Sequence, residues 1–160
     1  MPDTIRFALI GCGRIAPRHA QSISELEHAQ LVAVADVISS RAERYAKEHN
    51  AESYSDYQRV LDRRDIDVVN ICTPSGMHAQ MAIDAMQAGK HVIVEKPMAL
   101  KIEDADRMIA TAKSTGVKLC VVLQNRYNPP MQDLRRVVDE GRLGKILLGN
   151  ATVRWYRPQE

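Results

Sequence analysis

The sequence predicts an α/β fold, a doubly wound parallel sheet with helices on both faces, on three observations. Short apolar runs alternate with segments of helical period along most of the chain. The runs are nearly continuous Val, Ile, Leu and Ala, as strands buried on both faces are. The first run also passes straight into the turn Gly11-Cys12-Gly13, with a helix start immediately behind it. A βαβαβ order of this kind requires right-handed crossovers, which place the helices over both faces.

The elements follow in order. Ile5–Ile10 is the first strand, and the helix at Pro17–Leu26 opens on a proline, whose missing N–H costs little in a first turn. Leu31–Ala35 is the second strand, and a helix at Arg41–His49 follows Ser39 and Ser40, either of which can cap it. A short helix at Tyr57–Arg63 precedes the strand Val68–Cys72. The helix Ala79–Ala88, the strand His91–Val94, the helix Glu103–Thr115, the strand Lys118–Leu123 and the helix Met131–Glu140 complete the alternation. Gly89, Gly116 and Gly141 stand just past three of these helices, where helix-ending glycines belong. Ile146–Arg157 reads as a long strand carrying the only Trp, with no later strand to pair. An unpaired apolar strand is unstable alone. Residues 1–144 are therefore expected to form one domain, and 145–160 the start of a truncated second domain.

Composition narrows the function classes. With 45% hydrophobic and 26% charged residues, 160 residues suffice for one soluble domain with a sizeable core. No basic run carries interleaved aromatics, so no nucleic-acid site is expected. No apolar stretch approaches the roughly 20 residues that span a membrane. Three cysteines, an odd number without zinc-site spacing, indicate reduced thiols in a cytoplasmic protein and no metal site.

The glycine turn carries the first chemical proposal. Gly11 lets the chain turn sharply off its strand. Gly13, lacking a side chain, lets a pyrophosphate approach the backbone, and Ala16 is small enough for helix to pack on strand. The amides of Arg14, Ile15 and Ala16 then offer donors at a helix N-terminus, where negative charge is favoured. Asp36 ends the next strand about twenty residues on, where a carboxylate accepts from both hydroxyls of an adenosine ribose. These parts form a Rossmann-type dinucleotide fingerprint. No Arg adjoins Asp36, which would repel a 2′-phosphate, so NAD is expected rather than NADP. The plain alternatives are a tight turn without a ligand, and Asp36 as a helix cap.

Three further stretches lie at carboxyl ends of strands, where such sheets bind ligands. They are Thr73-Pro74-Ser75-Gly76-Met77-His78, Glu95-Lys96-Pro97, and Gln124-Asn125-Arg126-Tyr127-Asn128-Pro129. With the glycine turn and Asp36, they make the chain resemble the N-terminal half of the Gfo/Idh/MocA oxidoreductases, from about residue 5 to 157. Gln124 to Pro129 and the opening strand resemble the UDP-N-acetylglucosaminuronate 3-dehydrogenases within that family.

The resemblance implies oxidation of a secondary sugar hydroxyl by hydride transfer to NAD. A nucleotide-linked hexuronate oxidised at C3 is the favoured substrate, and an inositol or another sugar the alternative. Lys96 matches the lysine facing the reacting hydroxyl, where the positive nicotinamide favours its neutral, proton-accepting form. Thr73 and Pro74 would close over the adenosine side, and His78 would lie by the cofactor or simply begin a helix. Glu95 would reach the nicotinamide-side ribose or pair with a lysine. Gln124 is assigned to the cofactor, and Asn125 and Arg126 to nicotinamide or substrate. A guanidinium suits a uronate or diphosphate, although a surface ion pair would serve as well. Family members continue into a second, α+β domain that covers the substrate, adds an Asp and a His and usually carries the homo-oligomer interface, so the resemblance implies that 145–160 begins such a domain. Without it the chain would bind NAD and turn over poorly. A non-catalytic nucleotide-sensing or interaction module is the reading from another class. A methyltransferase would share the glycine turn and acid but leave Glu95-Lys96-Pro97 unexplained.

Overall fold

The structure is a computed structural model that describes residues 4–156. Its contacts divide into two compact units, one ending at Leu123 and one beginning at Gln124. The division falls ahead of the last helix, whereas the domain boundary expected after residue 144 falls behind it.

The first unit is built on a six-stranded sheet of β1 (Ile5–Ile10), β2 (Ala29–Ala35), β3 (Glu52–Tyr54), β4 (Val68–Ile71), β5 (His91–Val94) and β6 (Leu119–Val121). The strand order is β3-β2-β1-β4-β5-β6, and every pairing is parallel. The chain winds outward from β1 in one direction and from β4 in the other. The order therefore reverses between β1 and β4, which opens a crevice at their carboxyl ends. The helices are α1 (Ala16–Ser24), α2 (Ser39–His49), α3 (Tyr57–Leu61), α4 (His78–Gln87) and α5 (Ile102–Thr115).

Alternate residues of each strand enter different cores. Ala8 and Ile10 of β1, with Val69, Ile71, Val92 and Val94, pack against Met81, Ala82, Ala85 and Met86 of α4 and Met108 of α5. Phe7, Leu9, Val34 and Val68 face Ala16, Ala20 and Ile23 of α1 and Ala42, Tyr45 and Ala46 of α2. Both faces are covered, which is why the strands read as unbroken apolar runs rather than alternating ones. A fully buried Leu9 or Ile71 contributes about 1.5–3 kcal/mol by leaving water.

Two features differ from expectation. β3 was not expected, because Glu-Ser-Tyr carries no apolar signal; it is an edge strand held by β2 alone. The expected strand at Ile146–Arg157 does not form in its described part, residues 146–156, and Arg157 lies outside the described residues. A strand exists by its ladder, and no described strand pairs with this run. Its Leu147, Leu148, Trp155 and Tyr156 are exposed. Helix ends behave as expected: α5 stops at Gly116 with φ of 72°. At the end of α2, Asn50 takes the same left-handed conformation in place of a glycine.

The second unit contains a 3-10 turn at Gln124–Tyr127 and the helix α6 (Pro129–Asp139), which begins on two prolines. The side-chain amide of Gln132 donates to the Tyr127 carbonyl at 3.0 Å and ties the helix to the turn.

Candidate functional site

The crevice predicted by the strand order is a cleft of about 690 Å³ in the first unit, within the range of small-molecule sites. Gly11, Gly13, Arg14 and Ile15 form one wall, and Asp36, Val37 and Arg41 line it after β2. Thr73, Pro74, Met77 and Met81 line it after β4. Ser55, Asp56 and Tyr57 complete it. Those three follow β3, so missing that strand also hid them.

The two glycines are needed for different reasons. Gly11 has φ of +94°, and a Cβ there would sit 2.8 Å from the Cys72 carbonyl carbon and 2.9 Å from the Thr73 nitrogen. Both are backbone atoms of the neighbouring strand end, so they cannot yield. Gly13 is the opposite case: a Cβ there would meet nothing within 4 Å. Its missing side chain serves no packing and leaves space on the cleft side. The amides of Gly13, Arg14 and Ile15 have no acceptor among the described residues. The Ala16 amide, expected to face the ligand with them, instead donates to the Gly13 carbonyl at 3.3 Å and closes the turn. Ala16 itself is fully buried against the sheet, which explains the small residue there.

Asp36 is wired into the turn. One carboxylate oxygen accepts from the Cys12 amide and the other from the Ile38 amide, each at 2.8 Å. The carboxylate thus both fixes the glycine turn and steadies the approach to α2, whose first turn receives no bond from Ser39 or Ser40. Each oxygen keeps acceptor capacity toward the cleft, since an ionised carboxylate offers about four lone-pair sites. The Cys12 thiol lies buried beneath the turn. Burial first, and then the Asp36 charge, push it up to about 12, so it stays a thiol at neutral pH. Free amides, open space at Gly13 and a fixed carboxylate beside the turn fit a dinucleotide.

The other strand-end residues fall into place differently. Thr73 and Pro74 line the cleft. His78 does not: its ring is 1% exposed, with Nδ1 2.8 Å from the Pro97 carbonyl and Nε2 2.8 Å from the Thr73 carbonyl. It begins α4, the plainer of the two expectations, and lies between the loops after β4 and β5. Glu95, 8% exposed, is not paired with a lysine. One of its oxygens lies 3.1 Å from His19 Nε2, and the other accepts from the Lys96 amide at 3.1 Å. The Lys96–Pro97 peptide is cis. Lys96 is exposed, and its ammonium has no carboxylate partner among the described residues. His19 and its second neighbour, Asn70, escaped sequence reasoning. They lie 76 and 25 residues from Glu95, and only the fold brings the three together.

Gln124, Asn125 and Arg126 lie in the second unit, in its opening 3-10 turn, and all three are exposed. Arg126 borders a small hollow of that unit with Gln132, Arg135 and Asp139.

The fold and the cleft define a dinucleotide-binding domain of the Rossmann type. Residues 5–123 match the GFO_IDH_MocA family, described as an oxidoreductase family with an NAD-binding Rossmann fold, and the chain belongs to it. It is similar to scyllo-inositol 2-dehydrogenase (NAD(+)) of Bacillus subtilis, with 37% identity over 91% of this chain and 43% of that protein. The oxidoreductase YrbE of the same organism shares 34% over 99% of this chain and 47% of its own length. Among solved structures, the WlbA dehydrogenase of Bordetella pertussis in complex with NADH and UDP-GlcNAcA superposes with a TM-score of 0.87. That match has 37% identity and covers 89% of this chain and 43% of the other. The chain thus spans less than half the length of these relatives. No helix among the described residues is long and apolar enough to cross a membrane.

Proposed function

We propose that this chain is the NAD-binding part of a dehydrogenase that oxidises a secondary hydroxyl of a sugar or cyclitol. The observation that carries the reading is the joint geometry at the carboxyl ends of β1, β2 and β5. A glycine turn with free amides faces a fixed Asp36, and Lys96 stands exposed at the end of β5 without an ion-pair partner among the described residues. NAD, when bound, supplies the hydride acceptor. The turn amides would hold its pyrophosphate and Asp36 its adenosine ribose, with Thr73 and Pro74 beside it. The Lys96 amine would assist removal of the hydroxyl proton as the C–H bond breaks.

The substrate is the finer step. WlbA binds UDP-GlcNAcA in its solved complex, which supports a nucleotide-linked hexuronate, with Arg126 and Asn125 as candidate contacts. The inositol dehydrogenases match at similar identity and support a cyclitol. Full-length family resemblance supports a homo-oligomer, and three free thiols support a reducing, cytoplasmic setting. Assaying the full-length gene product with NAD against UDP-N-acetylglucosaminuronate and against inositols separates the two substrate readings. Lys96→Ala is expected to cut kcat at least about a hundredfold, the usual scale of a general base. Normal turnover in that variant would refute the role of Lys96. Failure of this chain to bind NADH would leave the non-catalytic interaction module as the better reading.

A further inference from the structure

Three polar side chains, His19, Asn70 and Glu95, meet behind the Glu95-Lys96 turn, and the chemistry proposed above uses none of them. His19, on the first turns of α1, reaches Glu95 Oε1 with Nε2 at 3.1 Å. Its Nδ1 lies 3.1 Å from the Asn70 side-chain amide nitrogen. Asn70 sits in the middle of β4, 3% exposed, on the same face as Val68. Packing does not call for an amide there, because the neighbouring positions of β4 are all apolar. Asn70 Oδ1 is moreover buried without a hydrogen-bond partner. A buried orphan acceptor opposes folding, so the amide needs some other return.

That return is the tautomer of His19. An amide N–H donating to Nδ1 leaves that nitrogen as the acceptor, so the ring hydrogen resides on Nε2. Nε2–H then donates to Glu95 Oε1, while Glu95 Oε2 accepts from the Lys96 amide. A directed chain runs from the middle of β4 through α1 to the backbone of the catalytic candidate. We propose that His19 is a positioning residue, held by Asn70 as the Nε2–H tautomer, that fixes Glu95 and through it the backbone of Lys96. Its value for catalysis rests on the reading of Lys96 given above. The helix that bears His19 also begins just behind the glycine turn, so one side chain links that helix to the loop after β5.

The test uses the ligand-free 160-residue chain, labelled with 15N. Long-range proton–nitrogen correlation reads the His19 ring, assigned by its loss in His19→Gln. The expected result is a single Nε2–H tautomer. A ring averaging between tautomers, or holding its hydrogen on Nδ1, overturns the proposal. Hydrogen exchange at the Lys96 amide is the second readout. His19→Phe is expected to lower its protection about tenfold or more, with β4 amides unchanged within about twofold. His19→Gln, whose amide can still donate to Glu95, is expected to recover protection to within about threefold of the parent. Equal protection in parent and His19→Phe, or no recovery in His19→Gln, also overturns it. If His19→Phe does not fold, the tautomer in the unchanged chain decides alone. Neither readout needs a dinucleotide. A chain that fails to bind NADH would thus defeat the proposed function while leaving this test intact.

Discussion

Gly11 and Gly13 read alike in the sequence and do opposite things in the fold. Gly11 is squeezed against the Cys72–Thr73 backbone at positive φ, so Gly11→Ala is expected to destabilise the chain by about 2 kcal/mol or more. Gly13 faces open space, so Gly13→Ala is expected to leave stability within about 1 kcal/mol and still weaken NADH binding about tenfold. Urea unfolding and NADH titration of both variants check the pair. Equal loss of stability in both would contradict the assignment. The cysteines make a second residue-scale prediction. Cys12 and Cys72 are buried, and burial pushes both thiols up, whereas Cys120 is exposed. A thiol reagent at pH 7.5 should modify Cys120 rapidly and the other two only after denaturation, as peptide mass mapping would show. At this scale the fingerprint residues were legible because they are local in sequence. The roles of His78, Glu95 and His19 were not, since each depends on a partner that the fold alone supplies.

At the scale of elements, Arg63 joins three pieces of chain. Its guanidinium bonds Asp65 at 2.7 and 2.9 Å, approaches Glu52 of β3 at 3.3 Å, and donates to the Val32 carbonyl of β2. The Arg63 hydrogen bonds hold the Asp65 carboxyl at about 2, below the ordinary 3.8. A depressed carboxyl favours the folded state above its unfolded value and loses that contribution as pH falls through its folded value. The Asp65 contribution should be complete above about pH 4 and vanish towards pH 2. Asp65→Asn should therefore flatten the fall of stability across that window, measured by unfolding at several pH values. An unchanged slope would show that the pair is idle, as many exposed pairs are. The buried strands and long helices were readable from their apolar periods. β3 was not, because an edge strand of three polar-leaning residues is defined by its neighbour rather than by its own pattern. The run from Ile146 failed in the other direction. Its composition favours a strand, but composition supplies no pairing partner.

At the scale of the whole molecule, a parallel sheet whose order reverses between β1 and β4 places its cleft where the glycine turn, Asp36 and the loop after β4 converge. The use of the strands' carboxyl ends was legible from the alternation of elements, whereas the strand order itself emerges only in the fold. Ser55, Asp56 and Tyr57 were added by the fold, through the unforeseen β3. Of the residues expected at the cofactor or substrate, Gln124, Asn125 and Arg126 belong to the second unit. The cleft is expected to bind NAD and, through the Asp36 carboxylate, to refuse NADP. Fluorescence titration of the chain with NADH and with NADPH tests it most directly. NADH is expected to bind at least about tenfold more tightly, because a 2′-phosphate would confront the Asp36 carboxylate. Tighter NADPH, or binding of neither, would contradict the account.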